Sequence, residues 1–174
     1  MEQILIETNR LVLRPYKSSD VDPIVSLAGD FRVSSTTLNI PYPYTSDMAK
    51  EWISTHTNEW LEGIGLIYAV TEKDTGQLLG TVSLIDIHDG KAELGYWFGF
   101  PYWGKGYCSE AVEALIEFSF TKMEITFLYA EHLADNPASG RVMIKNGMQY
   151  IGSIHQKNRE GILSNVETYE LKYT

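Results

Sequence analysis

Near the N-terminus the apolar positions change spacing once. Leu11, Val12 and Leu13 form a strand-like run that Pro15 ends. Ser18-Ser19-Asp20 then offers an N-cap, and a helix through Val25 and Leu27 is expected to run to Gly29, with Pro23 tolerated in its first turn. Residues 30–45 show no period and contain the breakers Pro41 and Pro43, so an irregular loop is expected there. Its aromatics Phe31, Tyr42 and Tyr44 suit a functional loop of this length, and equally suit packing on the core. Thr45-Ser46-Asp47 caps a second helix, in which Ala49, Trp52, Ile53, His56 and Trp60 recur on one face. That face is read as core rather than as a binding box. Gly63 and Gly65 stop the helix.

The period then switches to that of strands. LIYAVTEK (66–73), LLGTVSLIDI (78–87) and KAELGYWFGF (91–100) are separated by Asp74-Thr75-Gly76 and His88-Asp89-Gly90, both hairpin turns, which predicts an antiparallel meander. A helix from about Lys105 to Lys122 follows, with Ala111, Val112, Leu115 and Ile116 on one face. Next come a strand at Phe127–Leu133, a helix capped by Asp135 or Asn136 that ends at Gly147, and two strands near Tyr150–Ile154 and Val166–Tyr173. A meander followed by β-α-β implies a mixed, mostly antiparallel sheet with about four helices, hence an α+β fold. No repeat, linker or low-complexity stretch interrupts the chain, so its 174 residues are read as one domain with its core in about 8–172.

Composition narrows the function. A net charge of −9 argues against a nucleic-acid partner, which would favour a basic patch. The acidity would attract a cationic substrate such as an amine, and it equally serves solubility. The lone Cys108 excludes an intrachain disulfide framework and suits a reducing cytoplasm. The opening MEQILIETNRLVLRP has no apolar stretch long enough for a signal peptide, and no run approaches the about 20 residues of a membrane span, so a cytoplasmic protein without a membrane partner is expected. His56, His88, His132 and His155 lack the spacing of a metal site, and no metal is expected.

The stretch GFPYWGKGYCSEA (99–111) carries the chemistry. Gly99-x-x-x-x-Gly104-Lys105-Gly106 is one residue short of a Walker A loop, but Gly106 replaces the hydroxyl that would hold Mg²⁺, and Ser109 comes three positions too late. As a dinucleotide fingerprint, Gly104-x-Gly106-x-x-Ser109 lacks its third glycine and follows antiparallel strands; Glu124 stands near the expected acidic position, as one acidic residue would by chance. What remains is a strand, a turn with two glycines, and a helix start. Free amides there converge on one spot and the helix dipole adds positive charge, a cradle that suits a pyrophosphate without a metal. A turn that binds nothing would share this sequence.

ELGYWFGFPYWGKGYCSEA followed by NPASGRVMIKNGMQYIG resembles the GNAT superfamily of acetyl-CoA-dependent N-acetyltransferases, and most of all its ribosomal-protein N-terminal (Rim-like) branch. IETNRLVLRP at the start and ETYELK at the end extend the likeness over nearly the whole chain. The resemblance implies that Pro101 to Gly106 is the phosphate loop, with Pro101 departing from the usual Gln or Arg at a position where the Rim-like branch often departs too. The amides of Trp103, Gly104, Lys105, Gly106 and Tyr107 would hold the pyrophosphate of acetyl-CoA, with Ser109 contributing at the helix start. The strand edge at Tyr96, Trp97 and Phe98 would pair with the pantetheine amides, which requires that strand to splay from its neighbour. Asn136 and Ser139 match the block beside the pantetheine arm and thiol. Lys105 would lend charge to the phosphates or lie solvated.

Amine acetylation needs a neutral amine, a polarised thioester and a stabilised leaving thiolate, and direct attack in a ternary complex needs no covalent enzyme intermediate. Glu93 is the candidate base: a strand glutamate stands at a similar offset in the histone-acetyltransferase branch, and a surface carboxylate beside Lys91 is the plainer reading. The superfamily's general-acid tyrosine is replaced by Met143, and the Rim-like substitute corresponds to Ser139, which would otherwise only cap a helix start. Cys108 sits where a helix start lowers a thiol pKa, but the family places a small residue there and that reading is preferred. The expected function is transfer of an acetyl group to a primary amine, on a protein N-terminus or a small molecule. A CoA-binding regulatory module without turnover is the alternative, and a homo-oligomer is left open.

Overall fold

The computed structural model describes residues 1–158 and 160–174. The described residues form strands β1 (Ile6–Glu7), β2 (Leu11–Arg14), β3 (Leu66–Glu72), β4 (Leu78–His88), β5 (Lys91–Phe98), β6 (Phe127–Leu133), β7 (Gln149–Lys157) and β8 (Leu163–Lys172). The helices are α1 (Val21–Ala28), α2 (Phe31–Ser34), α3 (Ser46–Glu62), α4 (Tyr107–Lys122) and α5 (Pro137–Lys145). The strands make one sheet in the order β1-β2-β3-β4-β5-β6-β8-β7, so the fold is the expected mixed α+β class. Every neighbouring pair is antiparallel except β5 and β6, which run parallel because the α4 crossover joins them.

Local chemistry accounts for the boundaries. The Thr45 hydroxyl accepts the Met48 N–H at 3.2 Å and starts α3, and Gly63, left-handed at φ 71°, ends it. Asp89 and Gly90 both have positive φ, as a tight two-residue hairpin turn between β4 and β5 requires. β3 is buried on both faces from Leu66 to Thr71, so its apolar run is continuous, whereas β6 alternates around buried Leu128, Ala130 and His132. β1 and α2 were not expected from the sequence. Two strand residues and one helical turn are too short to show a period, and α2 is held instead by Asp30, whose carboxylate accepts the Arg32 N–H at 2.9 Å. Asp20 also departs from expectation: its carboxylate leaves the α1 cap unmade and holds Arg14, with both oxygens 2.8 Å from the guanidinium.

The helices cover both faces of the sheet. On one face, Ala111, Val112 and Leu115 of α4 and Met143 of α5 pack on Ala92, Leu94, Phe98, Leu128 and Ala130. On the other, Ile24 of α1 and Ala49 of α3 pack on Ala69 and Leu78, with Trp52 and Trp97 at the margin. Alternation along β5 therefore sends Tyr96 and Phe98 towards α4 and α5, and Glu93, Gly95 and Trp97 towards α3.

Candidate functional site

β5 and β6 pair only from Lys91, Ala92 and Glu93 to Phe127, Leu128 and Tyr129. Beyond that point β5 stays with β4 as far as Phe98, and β6 stays with β8 as far as Leu133. The sheet opens between them, which leaves the edge of β5 from Leu94 to Phe98 unpaired. A cleft of about 850 Å³ follows this opening. It brings together Glu93, Tyr96, Trp97, Phe98, Trp103, Gly104, Gly106, Tyr107, Ser109, Asn136 and Ser139.

At the outer end, a helical turn at Phe100–Tyr102 leads into Gly104 at φ 72° and Gly106 at φ 80°, and α4 begins at Tyr107. Only glycine holds both positive angles without strain. The first backbone bond of α4 runs from Glu110 N–H to Gly106 O at 3.1 Å. Among the described residues, the amides from Gly104 to Ser109 donate to no protein acceptor. The Trp103 indole N–H donates to the Phe98 carbonyl at 2.8 Å and fixes the turn to the end of β5. Lys105 is not a lining residue; its carbonyl accepts from Arg10 at 3.0 Å. The Ser109 hydroxyl is buried and accepts from Asn146 at 3.2 Å, so it joins α4 to α5.

Sequence reasoning missed the cations on the facing wall. Arg141 and Lys145 line the cleft together with Ala138 and Val142. These residues stand at i, i+3, i+4 and i+7 of one helix, a spacing legible in the sequence.

Midway along, the Tyr96 hydroxyl donates to the Ser139 carbonyl at 2.7 Å, and the Ser139 hydroxyl donates to Tyr96 Oη at 3.1 Å. Burial raises the Tyr96 pKa, so it stays a neutral phenol. Ser139 is thus a partner of Tyr96 rather than a helix cap, and Met143 lies in the core, out of the cleft. Gly140 lets α5 come this close, because a Cβ there would stand 2.6 Å from His132 Nε2 and 2.7 Å from Tyr169 Oη. Asn136 holds the N-cap position without capping; its side-chain amide donates to the Thr36 carbonyl at 3.2 Å and ties α5 to the loop after α2. Burial pushes the Cys108 thiol up to about 12, which leaves a protonated thiol and outweighs the helix start.

At the vertex, Glu93 is the last residue of β5 to pair with β6. Burial first, then the charges of Glu131 and Asp86, push its carboxyl up to about 7. Among the described residues it has no ion pair, so Lys91 does not neutralise it; the Lys91 ammonium stands 5.8 Å from the Phe127 ring centre. Glu131, two residues past its register partner Tyr129, lines the same face and is itself raised by burial. The α3 side of the cleft is walled by residues 36–41, Tyr44, Met48, Glu51 and Trp52. Trp52 therefore serves the cleft as well as the core. Among the described residues, no group of His, Cys, Asp and Glu is arranged to hold a metal ion, and no helix is long and apolar enough to cross a membrane.

The profile of the GNAT acetyltransferase domain matches residues 10–149. The uncharacterized N-acetyltransferase p20 of Bacillus licheniformis is 31% identical over 163 residues, 92% of this chain and 85% of that protein. The ribosomal-protein-serine acetyltransferase of Escherichia coli (strain K12) is 29% identical over 96 residues, 54% of this chain and 52% of that protein. Among solved structures, the ribosomal L7/L12 alpha-N-protein acetyltransferase RimL in complex with coenzyme A superposes with a TM-score of 0.85 at 20% identity, over 97% of this chain and 98% of that one.

Proposed function

This chain belongs to the GNAT acetyltransferase family, and on that premise we propose that it moves an acetyl group from acetyl-CoA to a primary amine by direct attack in a ternary complex. The observation that carries the reading is the open β5 edge, which runs from a carboxyl at its vertex to a turn of unpartnered amides at a helix start. That turn fits a pyrophosphate: among the described residues its amides have no protein acceptor, its glycines have no side chain in the way, and Arg141 and Lys145 supply cationic charge across the cleft. Local donors are needed, because the chain as a whole carries −9 and repels phosphates. The backbone of Tyr96, Trp97 and Phe98 would pair with the pantetheine amides as an added strand would.

Acetyl-CoA supplies an activated acyl carbon whose bond to sulfur breaks as the amine nitrogen bonds to it. The amine attacks in its neutral form, its ammonium proton having gone to solvent, and Glu93 takes the proton that the nitrogen sheds as the amide forms, a role suited to a carboxyl pushed up to about 7. Ser139, whose carbonyl is held by the Tyr96 hydroxyl, turns its own hydroxyl from Tyr96 Oη to donate a hydrogen bond to the departing sulfur. The acceptor enters from the α3 side, between Trp52 and the 36–41 loop, where Glu51, Glu93 and Glu131 favour a cationic amine. The ribosomal-protein relatives support a protein N-terminus as that amine, and a small-molecule amine is the other acceptor class. The whole of about 8–172 serves this one site, and the lone free Cys108 suits a reducing cytoplasm.

The test is release of free thiol from acetyl-CoA across a panel of N-terminal peptides and small amines. Turnover with at least one amine, lost on acetylating that amine beforehand, is the expected result. Binding of acetyl-CoA with no turnover across the panel would point to a regulatory module, and binding of ATP-Mg without acetyl-CoA would overturn the reading.

A further inference from the structure

Arg10 stands just before β2, far in sequence from the pyrophosphate turn, yet it touches the turn directly. Its backbone is fixed on both sides: its N–H donates to Glu110 Oε2 at 3.1 Å, and its carbonyl accepts the Lys73 N–H at 2.8 Å. From that anchor its Nε donates to Glu110 Oε1 at 2.9 Å, its Nη1 donates to the Lys105 carbonyl at 3.0 Å, and the guanidinium lies over the Tyr107 ring, 4.3 Å from its centre. The Thr8 hydroxyl donates to Glu110 Oε2 at 2.7 Å. Burial works against the Glu110 charge, but the bonds from Thr8 and Arg10 outweigh it and hold the carboxyl below its ordinary value. Arg10 itself does not line the cleft.

We propose that Arg10, oriented by Glu110, is a positioning residue that presets the pyrophosphate turn for the cofactor. The carbonyl of Lys105 and the N–H of Gly106 belong to one trans peptide and point to opposite sides of it. Drawing the carbonyl onto Arg10 turns the Gly106 N–H away from Arg10. This peptide lies between Gly104 and Gly106, where the backbone is freest. A turn held in place before the ligand arrives does not have to be ordered on binding, and that cost is what the brace removes. Arg suits the task because one planar fork reaches the carboxylate and the carbonyl together, which a lysine cannot do.

The inference rests on the turn being the pyrophosphate site, so the experiment compares acetyl-CoA with S-acetylpantetheine, which lacks the pyrophosphate. Calorimetry on the wild type and on Arg10→Ala, Arg10→Lys and Glu110→Gln reads both affinities, and melting without ligand checks folding. Arg10→Ala is expected to weaken acetyl-CoA binding about tenfold while S-acetylpantetheine changes less than about twofold; Arg10→Lys and Glu110→Gln fall between. With an accepted amine, the KM for acetyl-CoA rises and kcat moves less than about twofold. If Arg10→Ala does not fold, the two milder variants decide by the same selectivity. Equal weakening of both ligands, or of neither, overturns the brace and leaves the cofactor reading intact. A wild type that binds acetyl-CoA no better than S-acetylpantetheine overturns the pyrophosphate reading and the brace with it.

Discussion

Glu93 shows how much one position in the fold does to a side chain. Its carboxyl reaches about 7 through burial first and through Glu131 and Asp86 second. As the proposed base Glu93 acts deprotonated, so below pH 7 it should add a limb of about tenfold per pH unit to kcat/KM, above which only the limb set by deprotonation of the acceptor amine remains, and Glu93→Gln should lose about 10²–10⁴ of the rate. Glu131→Gln removes a neighbouring negative charge, so the Glu93 limb should move to lower pH while the limb set by the amine stays in place. Stability runs the other way. The folded protein holds this proton more tightly than the unfolded chain, so its contribution is complete below the ordinary carboxyl range and is lost as pH rises through 7. Glu93→Gln should therefore melt above the wild type at pH 8 and level with it at pH 4, and equal melting at pH 8 would count against the burial assigned here. The sequence named Glu93 but left its face open, because facing depends on which side of β5 the helix α3 covers. Tyr96 was assigned for its backbone alone; its bond to Ser139 joins residues 43 apart, a pairing that only the assembled sheet reveals.

At the scale of elements, the turn into α4 and the seat of α5 carry the site. Gly106→Val places a β-branched side chain at φ 80° and should abolish acetyl-CoA binding in equilibrium dialysis while the fold persists. Gly104→Ala separates backbone from crowding, since its Cβ would meet nothing within 4 Å; strain alone should weaken binding, at a cost of about 1–2 kcal/mol. Gly140→Ala works by contact. Its Cβ would collide with His132 and Tyr169, so α5 must lift, with a loss of about 1–3 kcal/mol in denaturant melts and a larger fall in kcat than in acetyl-CoA affinity, because Ser139 moves with the helix. The hairpin turns, the α3 cap and the crossover helix were legible because each has local chemistry: Thr45, Gly63, Asp89-Gly90. β1 and α2 were not, since each spans only about one period and shows no recurrence. The α5 stripe of Ala138, Arg141, Val142 and Lys145 was written in the sequence as plainly as the core stripe of α3, but a periodic pattern does not say whether its face meets core or ligand.

For the whole molecule, charge and topology decide. The chain carries −9 and its proposed cofactor is a polyanion, so the association rate of acetyl-CoA should increase with added salt while that of a cationic acceptor decreases, a pair of opposite slopes that stopped-flow measurements can read. The mixed sheet was legible from the order of meander and crossover. The early parting of β5 from β6, which the family resemblance required, is found in the structure but was not visible in either strand alone, since it shows only once β5 follows β4 to Phe98 and β6 follows β8 to Leu133. That parting leaves the sheet joined at its middle by three residue pairs. Strands β1 to β5 on one side and β6 to β8 on the other then meet along a narrow seam that α4 and α5 bridge, the two sides should open partly independently, and a ligand laid along the open edge would span both. Amide exchange should report it: protons of Leu94 to Phe98 slow on binding through new bonds, and those of β8 slow with them although no residue of β8 lines the cleft, because opening one side now means opening both.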